Sequence, residues 1–183
     1  MKQEKSCGAV VYMVQNERLL FLIEHMKLGH ISLPKGHVEG NETEEETAIR
    51  EIREETNLEV RLDTVFRHEV YYSPYEGVQK QVVFFAAEAL TLDWKNQECE
   101  VSSLEWKPFE QAYGAMTYDT DKEVLFHALA YLSTKHSIPA DYGSLAVPGQ
   151  YTGLLYREHA VDIHSHALVQ TDEGGNSLAV RKR

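Results

Sequence analysis

The order of apolar and polar positions divides much of the chain into alternating strands and helices. Two apolar runs, at 6–14 and 18–25, are separated by a short polar turn and predict a pair of strands. Two more runs, at 59–72 and 80–90, predict a second pair, and the segment between them has the composition of a turn. A further short strand is predicted at 101–107. These five strands indicate a sheet.

A helix is predicted at 43–56, after a loop at 26–41 that is rich in Gly and Pro. Thr43, with Glu46 three residues later, has the pattern of a capping box, which predicts where the helix begins. An apolar stripe at helical spacing should face the sheet. Its residues are Ala48, Ile49, Ile52 and Thr56.

Helical spacing also indicates two helices near the end of this region, at 109–114 and 119–135. Strands and helices that alternate in this way are typical of an α/β layered domain. We therefore expect one domain at 1–136, followed by a C-terminal extension at 137–183.

The extension has fewer charges and begins with a linker-like segment. Two short runs flank residues 172–176 and predict a small β-hairpin. A docking hairpin, a dimerisation element that makes a homodimer, and a disordered extension all remain open for this segment. Its histidines, His159, His164 and His166, give only a weak metal signal, because no cysteine or second carboxylate completes a ligand set.

Three glutamates of the predicted helix lie at spacings that gather their carboxylates. Glu51, Glu54 and Glu55 are at i, i+3 and i+4 and share one arc of the helix. Like charges at this spacing repel, and a bound divalent cation would remove that penalty; oxygen ligands suit Mg²⁺ or Mn²⁺. A solvated surface is expected instead for Arg53 and for the acidic residues of the first turn, which favour the helix dipole. Those residues are Glu44, Glu45 and Glu46.

The segment 36–58, GHVEGNETEEETAIREIREETNL, resembles the Nudix box. Gly36 is followed after five residues by Glu42, and after seven more by the run REIREETNL. Every fixed position matches except Asn57, which stands where the family has glycine; Asn also tolerates the left-handed conformation that ends a helix. The resemblance extends over about 6–135 and implies the Nudix fold, an α/β/α sandwich around a mixed β-sheet.

The same resemblance implies hydrolysis of a nucleoside diphosphate that is linked to another group, with two or three Mg²⁺ or Mn²⁺ ions. By position, Glu54 and Glu55 would bind metal, and Glu51 would bind metal or help to deprotonate the attacking water. Arg50 would hold the glutamates in place by ion pairing. A main-chain carbonyl near Lys35 and Gly36 would supply another metal ligand.

The loop sequence LPKGHVE at 33–39 resembles the dinucleoside polyphosphate hydrolases of the family. Lys35 and His37 of this loop are expected to contact the substrate. By the same resemblance Lys80 would bind phosphate and Tyr118 would stack on adenine. Lys80 as an ordinary edge-strand lysine, and Tyr118 as core packing, are the alternatives.

A further acidic residue that contacts metal is implied downstream of the box. Glu100 lies six residues before Trp106 and has the matching spacing, whereas Glu98 and Glu105 compete with it for this role. The sequence leaves the general base unassigned, because the carboxylates of such a cluster titrate together.

Charge and composition exclude several functions. The formal net charge of −11 disfavours binding to nucleic acids and to anionic membranes. The two cysteines, Cys7 and Cys99, imply no disulfide framework, and no apolar run reaches the roughly 18 residues of a membrane span. No signal peptide is recognised, so we expect a cytoplasmic protein.

The leading hypothesis is asymmetric hydrolysis of diadenosine tetraphosphate to ATP and AMP. The same reaction could instead act on another substrate: an RNA 5′-end, a diphosphoinositol phosphate or a nucleoside triphosphate. A Nudix-fold module that senses a nucleotide without cleaving it is an alternative from another class. Such modules commonly lose box carboxylates, and this box keeps all of them.

Overall fold

The computed structural model describes residues 1–95 and 100–145, and the backbone of residues 168–171 and 177–181. Contacts within the chain divide it into two units, Met1–Ala140 and Asp141–Arg183. Glu98, Cys99 and the three histidines of the extension lie outside the described residues, so the roles considered for them stay untested.

The first unit contains a mixed seven-stranded sheet and three helices. The strands are β1 (Lys2–Gln15), β2 (Arg18–Met26), β3 (Ile31–Ser32), β4 (Lys35–His37), β5 (Val60–Tyr72), β6 (Val78–Ala89) and β7 (Val101–Pro108). The helices are α1 (Glu44–Thr56), α2 (Phe109–Ala115) and α3 (Asp119–His136). The predicted α/β class is therefore confirmed, and the predicted loop at 26–41 also contains two short strands.

The sheet is mixed because one central pair of strands is parallel. The path runs β3-β2-β1-β6-β5, with β4 also paired to β1 and β7 also paired to β2. β1 and β6 are parallel, whereas the other pairs are antiparallel. A long connection through α1 and β5 separates β1 from β6, as a parallel pair requires.

Helices cover both faces of the sheet. Successive side chains of β1 point to opposite faces, so β1 contacts a helix on each side. Cys7, Ala9 and Val11 join a buried cluster with Ala48 and Ile52 of α1. On the opposite face the Tyr12 hydroxyl lies 2.9 Å from Nε2 of His136 at the end of α3. The result is the predicted α/β/α sandwich, with α1 on one face and α3 on the other.

The second unit contains two described strands, β8 (Leu168–Thr171) and β9 (Ser177–Arg181). They pair in an antiparallel arrangement and lie where the sequence predicts a hairpin. No helix in the described part of the chain is both long enough and apolar enough to cross a membrane.

Candidate active site

A side-chain cap at the N-terminus and a backbone cap at the C-terminus define the ends of α1. The Thr43 hydroxyl accepts a hydrogen bond from the Glu46 amide at 3.1 Å, and the Glu46 carboxylate accepts one from the Thr43 amide at 2.9 Å. This is the predicted capping box. At the other end Asn57 adopts φ 60° and its amide donates to the Arg53 carbonyl at 2.9 Å. Asn57 therefore ends the helix in the way expected of the family glycine.

Two expectations about α1 are wrong. Ile49 does not face the sheet but is 44% exposed, because Ala48 and Ile52, one turn apart, already fill the narrow contact with β1. Glu44 is not merely solvated: its carboxylate accepts from Lys5 at 2.5 Å and from Arg67 at 2.8 Å. The hydrogen bond from Arg67 is the main reason that the pKa of Glu44 falls to about 2.

The three box glutamates differ in burial. Glu55 is buried and its carboxylate accepts a hydrogen bond from the Lys35 amide at 3.0 Å. The Glu51 side chain is largely enclosed, and that of Glu54 is 54% exposed. Because α1 lies against β4, these side chains are presented to Lys35 and Gly36 of that short strand.

Gly36 leaves the space that the Glu51 carboxylate occupies. A Cβ at this position would lie 2.0–2.2 Å from the carboxyl atoms of Glu51. That separation is far below van der Waals contact, so any side chain at position 36 would displace the carboxylate. The close approach explains physically why a glycine stands at the start of this segment.

Arg50 connects the box carboxylates to one another. Its guanidinium donates to both oxygens of Glu42, at 2.6 and 2.9 Å, in a bidentate ion pair. The Nη1 atom donates to Glu51 at 2.8 Å and to Glu54 at 3.1 Å, and Nη2 donates to the His37 carbonyl at 2.9 Å. Arg50 thus orients the carboxylates, and the pKa of Glu42 falls to about 2, mainly through the hydrogen bond from Arg50.

Glu24 belongs to the cluster but was not predicted from the sequence. It lies on β2, is 1% exposed, and both of its carboxylate oxygens are buried with no hydrogen-bond partner among the described residues. Burial raises the pKa of Glu24; the charge of Lys35 and the contact with the Glu55 carboxyl group oppose the rise, and the charges of Glu51 and Glu100 add to it. The sequence feature that could have indicated Glu24 is its position as the single acidic residue in the apolar run RLLFLIEH.

The carboxyl groups of Glu24 and Glu55 lie close enough for each to affect the pKa of the other. Burial raises the pKa of Glu55 above its ordinary range, and the neighbouring charge of Glu24 raises it further. Burial likewise raises the pKa of Glu51, although Arg50 opposes this rise. Buried carboxylates that repel one another are costly unless a cation compensates them.

The donor set fits divalent metal. The buried Glu24 carboxylate lies beside that of Glu55, and the missing side chain at Gly36 lets the Glu51 carboxylate lie against the backbone there. All the side-chain donors are carboxylates, which are the ligands that Mg²⁺ and Mn²⁺ prefer. Glu100 is exposed just before β7, and its charge acts on Glu24, so it lies within electrostatic reach of the cluster.

The expected substrate residues lie on three segments: Lys35 and His37 on β4, Lys80 on β6, and Tyr118 at the start of α3. Lys80 on β6 is partly buried, and its pKa is lowered by burial and then by the charge of Lys35. Two lysines that repel one another form a favourable environment for phosphate. The His37 ring is mostly exposed, and its Nε2 atom lies 3.5 Å from the Glu4 carboxylate. Tyr118 is 52% exposed rather than core-packed, and its ring centroid lies 5.7 Å from that of His30.

Asp121 is a further acidic residue near this site that was not predicted from the sequence. It lies in the first turn of α3, it is 4% exposed, and its Oδ2 atom has no hydrogen-bond partner within the described residues. Burial raises the pKa of Asp121 to about 6, and the positive charge of Lys35 opposes the rise. A buried acid with one unpartnered oxygen, under the influence of the Lys35 charge, extends the polar surface of this site.

Asp121→Asn should increase stability at high pH. A raised native pKa means that the folded state binds the proton more tightly, so the stabilisation is full below about pH 4 and is lost as pH rises through about 6. We expect the variant to gain up to about 3 kcal/mol in free energy of unfolding at pH 8, and none at pH 4. Urea denaturation at both pH values measures this.

The control for this prediction is Asp119→Asn, since the Asp119 side chain is fully exposed in the same helical turn. It should show no gain at pH 8. An equal response of the two variants would contradict the assignment of the effect to buried Asp121.

The geometry defines a class of protein: an α/β/α sandwich in which one helix presents a carboxylate cluster to a glycine loop. The sequence profile of the NUDIX domain matches residues 4–129. This chain therefore belongs to the Nudix hydrolase family.

Similarity to individual proteins supports this family membership. The chain is 28% identical over 133 residues to the asymmetrical bis(5'-nucleosyl)-tetraphosphatase of Caenorhabditis elegans, which covers 70% of this chain and 96% of that protein. The mouse protein of the same name is 34% identical over 95 residues, 46% of this chain and 64% of its own length. An 8-oxo-(d)GTP phosphatase of Mycolicibacterium smegmatis is 32% identical over 123 residues, 67% of this chain. The chain spans only 37% of that mycobacterial protein.

Solved structures show the same fold. A binary complex of the Ap4A hydrolase of C. elegans superimposes with a TM-score of 0.66 at 26% identity, over 72% of this chain and 98% of that one. The NUDIX domain of NrtR from Shewanella oneidensis, bound to ADP ribose, gives a TM-score of 0.60 at 18% identity. The match covers 72% of this chain and 90% of that one, and it supports the fold alone.

Proposed function

We propose that this chain is a metal-dependent pyrophosphohydrolase that cleaves diadenosine tetraphosphate asymmetrically into ATP and AMP. The observation that carries the proposal is the cluster of Glu24, Glu51 and Glu55 beside the loop of Lys35 and Gly36. The LPKGHVE loop and the similarity to tetraphosphatases over nearly the whole C. elegans protein support the choice of substrate.

Each residue has a distinct part in the proposed site. Glu24, Glu51, Glu54, Glu55, Glu100 and the Gly36 carbonyl would hold two or three Mg²⁺ or Mn²⁺ ions. When bound, such ions neutralise phosphate charge and lower the pKa of water. Arg50 holds Glu51 and Glu54 in fixed orientations. Glu51 would either bind an ion or help to deprotonate the attacking water. Retention of all box carboxylates argues against a sensing module that does not cleave.

The substrate would lie along the lysines towards the start of α3. Lys35 and Lys80 would balance the charge of the polyphosphate chain, His37 would contact it at the exposed end of β4, and Tyr118 would stack on one adenine. The exposed position of Tyr118 beside His30 leaves its ring available to a base. A net charge of −11 disfavours RNA as the substrate.

The test is a product analysis with the purified full chain, Mg²⁺ and diadenosine tetraphosphate. We expect equimolar ATP and AMP, whereas ADP alone would indicate symmetric cleavage and would contradict the proposal. 8-oxo-dGTP is the second candidate substrate, because the mycobacterial relative is named an 8-oxo-(d)GTP phosphatase. If kcat/KM were higher for 8-oxo-dGTP than for diadenosine tetraphosphate, 8-oxo-dGTP would replace it as the proposed substrate.

Tyr118→Ala should raise KM for diadenosine tetraphosphate by about tenfold or more, since aromatic stacking on a base contributes about 1–3 kcal/mol. The value of kcat should change little, because in the proposed complex the ring contacts the base and not the reacting phosphate. Tyr118→Phe is the matched control and should keep the wild-type KM. Equal KM values for Ala and Phe variants would exclude stacking.

A homodimer formed through residues 137–183 and a cytoplasmic location belong to the same proposal. Comparison of the solution mass and turnover of the full chain with those of a chain ending at residue 136 tests the first of these. A monomeric full chain would exclude that role for the extension.

A further inference from the structure

A second group of potential metal ligands lies between β5 and α3. It consists of His68 on β5 and of Glu123 and His127 on α3, and one ligand atom of each lies within 4.8 Å of the others. His68 Nε2 is already 3.1 Å from the Glu123 carboxylate. The three side chains therefore approach one another in the space between β5 and α3.

The secondary structure explains this convergence. Glu123 and His127 are four residues apart and so lie on one face of α3. His68 shares the sheet face that α3 covers, since the neighbouring Phe66 ring packs 5.6 Å from Tyr131 of α3. The imidazoles of His68 and His127 have centroids 4.4 Å apart.

The surroundings are partly closed and aromatic. His127 is 8% exposed, and the Phe126 ring lies 6.3 Å from it in a T-shaped arrangement. The Phe66 ring is stacked at 6.4 Å from His68. A hydrophobic shell of this kind controls the access of solvent to a bound metal and the local dielectric constant. The Glu123 side chain is 42% exposed, which leaves a route for entry of the ion.

We propose that His68, Glu123 and His127 bind a Zn²⁺ ion that ties α3 to β5. Two imidazole nitrogens and one carboxylate suit Zn²⁺ with a fourth position open to water, at ligand distances of about 2.0–2.2 Å. Imidazole donors also distinguish this site from the carboxylate cluster, which suits Mg²⁺ or Mn²⁺. The proposal is independent of the hydrolytic function, because it concerns other side chains and needs no nucleotide.

Calorimetric titration of the metal-free full chain with Zn²⁺, in excess Mg²⁺ to fill the carboxylate cluster, tests the proposal. We expect one Zn²⁺ per chain, and at least a 100-fold loss of affinity in His127→Gln, His68→Gln and Glu123→Gln. The matched control is His25→Gln, which removes a histidine from another His–Glu pair, 3.2 Å from Glu105. The control should bind Zn²⁺ like the wild type.

Two further measurements separate this site from the carboxylate cluster. Co²⁺ substituted for Zn²⁺ should give the visible absorption of a low-coordinate nitrogen-containing site in wild type, and not in His127→Gln. Zn²⁺ should raise the melting temperature of wild type but not that of Glu123→Gln, because a ligand stabilises the state that binds it. If a histidine variant does not fold, the Glu123→Gln variant still provides the test, because the Glu123 side chain is partly exposed. Zn²⁺ uptake that is absent in wild type, or unchanged in Glu123→Gln, would overturn the proposal.

Discussion

Glu55→Gln is expected to lower kcat for nucleotide hydrolysis by at least about 100-fold, because it removes a metal-binding charge that stabilises the transition state. The amide oxygen of glutamine still accepts the hydrogen bond from the Lys35 amide, which is 3.0 Å from the carboxylate in the wild type. The loop should therefore stay in place while the charge is lost. Initial rates at saturating Mg²⁺ and substrate measure the effect.

The same substitution should not reduce the stability of the metal-free protein. Burial and the charge of Glu24 raise the pKa of Glu55, so its ionised form is unfavourable in the folded state, and this penalty grows as pH rises. We expect the free energy of unfolding in EDTA at pH 8 to stay equal or to rise by about 1–2 kcal/mol. A loss of activity that accompanies a gain in stability is typical of a functional site.

The matched control is Glu45→Gln, since Glu45 is an exposed carboxylate of the same helix. It should keep wild-type rates. An active Glu55→Gln variant, with a rate near that of Glu45→Gln, would show that the carboxylate cluster is not the catalytic centre.

Gly36→Ala is expected to reduce hydrolysis by about 10–100-fold with little change in stability. The new Cβ would lie 2.0–2.2 Å from the Glu51 carboxyl group. Because that group is the flexible end of a side chain, it will rotate away and leave the backbone in place. We therefore expect the free energy of unfolding to change by about 1 kcal/mol or less.

Gly114→Ala controls for the general effect of the added methyl group. A Cβ at Gly114 meets no atom within 4 Å, and the residue lies in α2, where alanine is favoured over glycine. This variant should keep full activity and gain some stability. The comparison needs kcat and urea denaturation for both variants; a Gly36→Ala variant that keeps wild-type kcat would refute the proposed positioning of Glu51.

Local chemistry explains why much of α1 was predictable. The reciprocal hydrogen bonds of Thr43 and Glu46 and the left-handed Asn57 depend on residues within one or two turns, so their pattern is visible in the sequence. The same holds for the i, i+3, i+4 spacing of the glutamates. Ile49 was misassigned because helical periodicity gives an apolar arc, whereas the width of the contact with β1 decides which of its residues are buried.

Contacts between distant segments explain what was missed. Glu24 joins the cluster only because β2 lies beside β1 and β7 in the sheet, which brings a lone acid of an apolar run next to Glu55 and Glu51. Glu44 finds Lys5 and Arg67 in the same way, across 39 and 23 residues of chain. No local pattern encodes such pairings.

The sequence alone determined the α/β class, the position and ends of the carboxylate helix, and membership of a family with a characteristic glycine-to-glutamate spacing. Each of these depends on a short-range pattern along the chain. The tertiary structure decided which carboxylates are buried together and which histidines meet across β5 and α3. It did so because burial and charge coupling arise only when the sheet brings segments that are far apart in the chain within a few ångströms of one another.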